Sequence, residues 1–213
     1  MVRTVFLVDG FNLYFGILQA GRDSGGKTTK WLDLRRLCET YLSVVGQVTG
    51  DHATLERIHY FSAVPTHRSD GAQKRHALYM RCLRGTGVNV ELARFKRKDL
   101  RCPICGDAFH KHEEKETDVA LAAKLFEVCH AERADAVVLM TGDTDLAPAF
   151  RTCARLFPET TIMFAFPYRR TNSELQALAP ESFSIKRRTI IGHQFPDPLE
   201  LRDGTRVSKP PDW

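Results

Sequence analysis

Four aspartates and one asparagine stand where a parallel sheet could bring them together. Asp9 closes the apolar run VFLV, and Asn12 follows one helical turn later. Asp143 and Asp145 sit in TGDTD, directly behind a second apolar run, Ala136–Met140. Asp118 opens an amphipathic helical pattern. Strand ends from distant sequence positions converge on one crevice in such sheets. Clustered carboxylates repel unless a cation joins them. Mg²⁺ or Mn²⁺ is the expected partner, since both take carboxylate, water and phosphate oxygens. Such an ion can activate water and stabilise the leaving oxygen of a phosphodiester. Each residue alone has a plainer reading. An aspartate behind a strand is commonly a turn residue or helix N-cap, and Asn12 can be an ordinary first-turn residue. Thr141 and Thr144 can orient a carboxylate, contact phosphate, or only bond within their turn. The recurrence of acids at successive strand ends favours a site.

The run RCPICGDAFHKH carries a second constellation: Cys102, Cys105, His110 and His112. Gly106 allows a tight turn that aims both thiolates at one point. The two histidines share a side of an extended segment, because side chains alternate. Two sulfur and two nitrogen ligands suit tetrahedral Zn²⁺, with Glu113 or Glu114 as a substitute for one imidazole. The plainer reading is a reduced CxxC turn. A redox CxxC is disfavoured, since no helix follows Pro103-Ile104. A zinc clip here would help to hold the chain before Lys115 and Asp118. Cys38, Cys82, Cys129 and Cys153 fall on apolar helical faces and read as core.

Cations surround that insert: Arg94, Lys96, Arg97, Lys98, Arg101, Lys111 and Lys115. Arg169 and Arg170 lie further on. A basic rim around an acidic floor suits a nucleic-acid strand, with cations holding the backbone. Tyr14, Phe15, Trp31 and Tyr168 could stack bases, though any one of them can equally be core.

The elements that must position these residues alternate regularly. Strands are expected at Thr4–Val8, Leu55–Val64, Val88–Phe95, Ala136–Met140 and Thr160–Phe166, with an edge strand at Phe183–Ile185. Helices are expected at Leu32–Val45, Ala72–Leu83, Asp118–His130, Leu146–Leu156 and Ser173–Leu178. Residues 96–112 break the pattern. Alternating strands and helices predict an α/β three-layer sandwich around a mainly parallel sheet. The 213 residues allow one domain over 1–189, with the Cys/His insert at about 96–114. The Pro-, Asp- and Gly-rich stretch 190–213 is expected to be an arm or tail that packs either on its own domain or on a neighbouring copy, giving a homo-oligomer. Lys and Arg number 31 against 26 Asp and Glu, a net charge of +5 that permits a polyanionic partner. No apolar run approaches the ~18 residues of a transmembrane helix. Six cysteines are too few for a disulfide scaffold, so the cytoplasm is the expected compartment.

VFLVDGFNLYF, KETDVALAAKL, VVLMTGDTDLAPAF and NSELQALAPESF occur in the order of the motifs of the NYN domain family (LabA-like, of the PIN-like nuclease superfamily), and from Val5 to Ile185 the chain resembles it. The resemblance implies a PIN-like sandwich and a metal-dependent ribonuclease acting on single-stranded or structured RNA. Asp9, Asp118, Asp143 and Asp145 would be its acidic metal residues and Asn12 its motif asparagine. Ser173 would lie near the rim. The family often carries a further Asp where this chain has Lys124, which leaves four acids. Two other readings stand beside the ribonuclease: a non-catalytic RNA-binding module, and a phosphatase. The phosphatase is weakened because DGFN lacks a second Asp to complete a nucleophile–acid pair.

Overall fold

In a computed structural model, residues 1–131, 134–211 and 213 are described. The apolar run at the N-terminus forms β1 (Val2–Asp9), the central strand. Its alternation feeds two cores. Phe6 and Val8 pack with α1 (Gly10–Arg22), α2 (Leu34–Thr49) and α3 (Asp70–Gly85). Val5 and Leu7 pack with α4 (Thr117–His130) and α5 (Ala147–Leu156). A strand buried on both faces needs this uninterrupted apolar sequence. The expected α/β/α sandwich is the observed architecture.

The seven-stranded sheet has the order β4-β3-β2-β1-β5-β6-β7. Its strands are β2 (Ala53–Val64), β3 (Asn89–Arg101), β4 (Ala108–Lys115), β5 (Ala136–Met140), β6 (Thr161–Phe166) and β7 (Phe183–Ser184). All neighbours run parallel except β3 and β4. The chain winds outward from β1 through β2 to β4, then returns to β5 on the other side. The switch point therefore lies between the carboxyl ends of β1 and β5, where such folds place their crevice.

One expectation needs correction. Residues 96–112 are not an irregular insert. β3 continues to Arg101 and pairs with β4 in a hairpin, with Arg94 opposite Lys115 and Arg101 opposite Ala108. The two cysteines stand at its tip, roughly 25 Å along β4 from Lys115. A clip there cannot hold the start of α4. The stretch 190–213 packs on its own domain, one of the two placements expected for it. After α6 (Ser173–Leu178) comes α7 (Arg187–Gly192), whose Ile190 is buried in the first core. Phe195, Leu199, Leu201 and Val207 join the same core. The short antiparallel pair β8 (Leu199–Glu200) and β9 (Arg206–Val207) closes the segment. Packed on its own chain, it gives no reason to expect a second copy there. Trp31 is core as well: it is 1% exposed and lies edge-on to Phe195 and Trp213. Cys38, Cys82, Cys129 and Cys153 are buried, as expected. Among the described residues no helix is long and apolar enough to cross a membrane.

Candidate active site

β1 ends on Asp9, which is buried and caps α1: its Oδ1 accepts the backbone N–H groups of Phe11 (3.1 Å) and Asn12 (2.9 Å). Such a cap satisfies amides that the helix leaves open. Gly10 follows because the chain passes tightly over β2. A Cβ there would lie 2.5 Å from the Phe61 carbonyl oxygen. Asp9 Oδ2 accepts from Asn12 Nδ2 (2.7 Å) and from the Thr141 hydroxyl (3.0 Å).

The same network continues behind β5. Thr141, fully buried, also accepts the backbone N–H of Asp143 at 3.1 Å. Asp143 Oδ1 in turn accepts the N–H of Asp145 (3.0 Å) and starts a 3-10 turn, Thr144–Leu146. Asn12 Oδ1 accepts from Gly142 N–H (3.3 Å) and Arg170 Nε (2.8 Å). Two distant turns are thus fixed to one another through Asp9, Asn12 and Thr141.

α4 contributes Asp118 from its first turn, where a carboxylate is favoured by the helix dipole. Glu116, at the N-cap position, takes a left-handed φ of 81° and is gripped by Arg94 at 2.8 Å. No side chain caps α4, so its first N–H groups remain open to solvent or an anion.

One oxygen each from Asp118, Asp143 and Asp145 lies within 4.8 Å of the others. Partial shielding from water raises the Asp118 pKa first, and the charges of Asp9, Asp143 and Asp145 raise it further. Among the described residues, no lysine or arginine is ion-paired with these three acids. All-oxygen donors with mutual repulsion fit a hard divalent cation. Asp9 stands beside the group, but its four accepted hydrogen bonds occupy both oxygens. Three of the four expected acids gather closely enough to share an ion, and the fourth, Asp9, is tied into the hydrogen-bond network between the two turns.

Sequence reasoning gave Glu114 only a zinc role. It faces the acids instead, on β4 opposite Phe95. Burial pushes its pKa up to about 7, with Asp9 and Asp118 adding to the shift and Thr117 opposing it. Its Oε1 and the Thr117 hydroxyl that opposes the shift are both buried. Alternation along β4 would have placed Glu114 on the crevice side, had the hairpin been recognised.

The expected substrate residues divide. Arg170 belongs to the network through Asn12, and its guanidinium lies 5.5 Å from the ring centre of exposed Phe15. Arg169 is turned to Asp23 (3.0 Å) and Lys115 to Glu113 (3.0 Å). Thr144 lies in the 3-10 turn, and Ser173 is exposed at the start of α6 (Ser173–Leu178), whose cap is Asn172. Lys124 points away from the acids, to Glu127 (2.7 Å) and Glu91 (3.7 Å).

The expected zinc set is not assembled. Cys102 extends the hairpin ladder, donating to the Asp107 carbonyl at 2.8 Å. It therefore faces opposite to Arg101, and so opposite to His110 and His112. His112 stacks on His67 with ring centres 4.5 Å apart.

The NYN domain family matches residues 3–186. The chain belongs to the NYN domain family. Such domains are typically PIN-like nucleases that act on RNA, and the three aspartates could bind the metal such an enzyme needs. The chain is 27% identical to 6-hydroxy-3-succinoylpyridine 3-monooxygenase HspA of Pseudomonas putida, over 70% of this chain and 55% of that protein. It thus spans about half the length of this curated relative. A solved protein of unknown function from Vibrio parahaemolyticus is 18% identical, with a TM-score of 0.49 over 87% of this chain and 93% of that one.

Proposed function

We propose that this NYN domain is a metal-dependent endoribonuclease. The observation that carries the reading is the meeting of Asp118, Asp143 and Asp145 at the switch point of the sheet. These residues would hold one Mg²⁺ or Mn²⁺. That ion, when bound, would lower the pKa of an attacking water and stabilise the departing oxygen. Asp9, Asn12 and Thr141 act through the others: they fix the spacing between the β1 and β5 turns and thereby the aim of Asp143. The open N–H groups of α4 offer a place for a phosphate oxygen. Arg170 and Phe15 present a cation and a ring face beside the acids, suited to a backbone phosphate and an unpaired base.

The use of Asp9 as scaffold favours a second reading, a domain that binds RNA without cutting it, because only three carboxylates remain for the ion. The oxygenase activity in the name of the Pseudomonas relative is not what a set of three carboxylates without imidazole supports. A cleavage assay separates the two RNA readings. A 5′-labelled single-stranded RNA is incubated with Mn²⁺, Mg²⁺ or EDTA, using wild type and Asp143→Asn. Metal-dependent cutting by wild type alone supports the nuclease. Equal cutting by both proteins refutes it, and binding without cutting by either supports the second reading.

A further inference from the structure

At the hairpin tip, Cys102-Pro103-Ile104-Cys105-Gly106 folds into a closed turn. The Cys102 N–H donates to the Asp107 carbonyl (2.8 Å), and the Gly106 N–H donates to the Cys102 carbonyl (2.9 Å). Gly106 takes the left-handed φ of 75° that this return needs. The Cys105 thiol donates to Asp107 Oδ2 at 3.2 Å across the same turn. Both thiols are free, and Cys105 is exposed. The four core cysteines, by contrast, are all buried.

We propose that this tip is a Zn²⁺ site shared by two copies of the chain, each supplying Cys102 and Cys105. A structural zinc takes four ligands in a tetrahedron. One chain offers two. His110 and His112 lie on the other face of the hairpin, and among the described residues no third ligand gathers with the thiols. A second copy completes the set with identical chemistry, as a two-fold interface requires.

The surroundings fit that occupant. Ile104 is 94% exposed, the most exposed of the large apolar residues, and Phe109 is 49% exposed. Phe109 pairs with Leu100 on the same strand face as Cys102. Closing two tips over one ion would bury this apolar spot. β4 is the outermost strand of the sheet, so the hairpin stands at its edge. Four thiolates around Zn²⁺ leave a local charge of −2. Lys98 and Lys111, paired across the hairpin on the same face, supply compensating cations from both copies. Binding displaces four protons, two from each chain, and involves no oxidation.

The test uses tag-free, metal-free full-length protein in a phosphine reductant, titrated with Zn²⁺. Bound metal is measured after desalting, and molar mass by light scattering. The expected result is half an equivalent of zinc per chain, a doubled mass, and return to monomer with EDTA. Cys102→Ser and Cys105→Ser should bind no zinc and stay monomeric with an unchanged melting temperature. Asp143→Asn should bind zinc as wild type does, which separates this site from the acidic crevice. Ile104→Arg keeps the thiols and should weaken the zinc-dependent dimer at least tenfold. One equivalent of zinc on a monomer, zinc uptake that survives both serine substitutions, or a dimer that persists in EDTA would each overturn the proposal.

Discussion

Thr141→Val removes one hydroxyl and leaves the shape of the side chain. That hydroxyl links the Asp9 carboxylate to the backbone of Asp143, at 3.0 and 3.1 Å. Without it, Asp9 Oδ2 loses a donor and the Asp143 N–H loses its acceptor. A hydrogen bond to a charged group contributes about 1.5–3 kcal/mol, and an unsatisfied buried group costs about 1–3 kcal/mol. The Asp143 amide is only part-buried and water can reach it, so a combined loss of about 2–3 kcal/mol is expected. In a domain of this size that corresponds to a fall in Tm of roughly 4–12 °C. Thr141→Ser keeps the hydroxyl and loses one methyl, a loss of about 1 kcal/mol. Asp143 would also be less well aimed in the valine variant. Loss of a group that orients a ligand weakens metal affinity by about 10–100-fold. Urea denaturation and Mn²⁺ calorimetry on both variants measure the two effects. The reasoning fails if Thr141→Val matches Thr141→Ser in stability and binds Mn²⁺ like wild type.

Asp145→Asn should abolish Mn²⁺ binding while leaving the metal-free protein as stable as wild type or slightly more so. Removing one negative charge should also bring the Asp118 pKa down toward its ordinary range, which NMR titration of its carboxyl carbon reads. Glu114→Gln should stabilise the metal-free protein above neutral pH. The folded Glu114 holds its proton up to about 7, while the unfolded chain releases it in the ordinary carboxylate range. Its contribution to stability therefore falls as pH rises through that window. After discounting for its partial exposure, the gain from glutamine is about 1 kcal/mol at pH 8, checked by urea denaturation at pH 5 and pH 8. Phe15→Ala should leave the fold intact, since the ring is 51% exposed. It should weaken single-stranded RNA binding by roughly tenfold, as expected for loss of one stacked base, with duplex binding little changed.

The central strands were legible because their environment leaves a simple mark. β1, β5 and β6 are buried on both faces and read as apolar runs. α4 and α6 are amphipathic or capped in ways that fix their limits within a residue. The hairpin was not legible. The outer half of β3 and most of β4 are solvated on both faces, so Arg97, Lys98 and Lys111 show no apolar alternation, and backbone pairing with exposed ion pairs holds them. Which placement the C-terminal segment takes was not legible for a different reason. Its polar, Pro-rich composition hides five apolar residues at irregular spacing, which meet the core only after the chain has turned back. At the site, residue types and spacing picked out the acids but could not show that Asp9 is tied into a hydrogen-bond network while the other three gather. Asp9 and Asp143 both follow a strand and both cap a turn. What distinguishes them is that Asp9 meets Asn12 and Thr141 from opposite ends of the chain.

Anomalous diffraction from Mn²⁺-soaked crystals tests the central claim most directly. A peak bounded by the carboxylates of Asp118, Asp143 and Asp145, absent in crystals of Asp143→Asn, is the predicted result. No peak in that crevice at saturating Mn²⁺, or a peak that survives the substitution, would contradict the account.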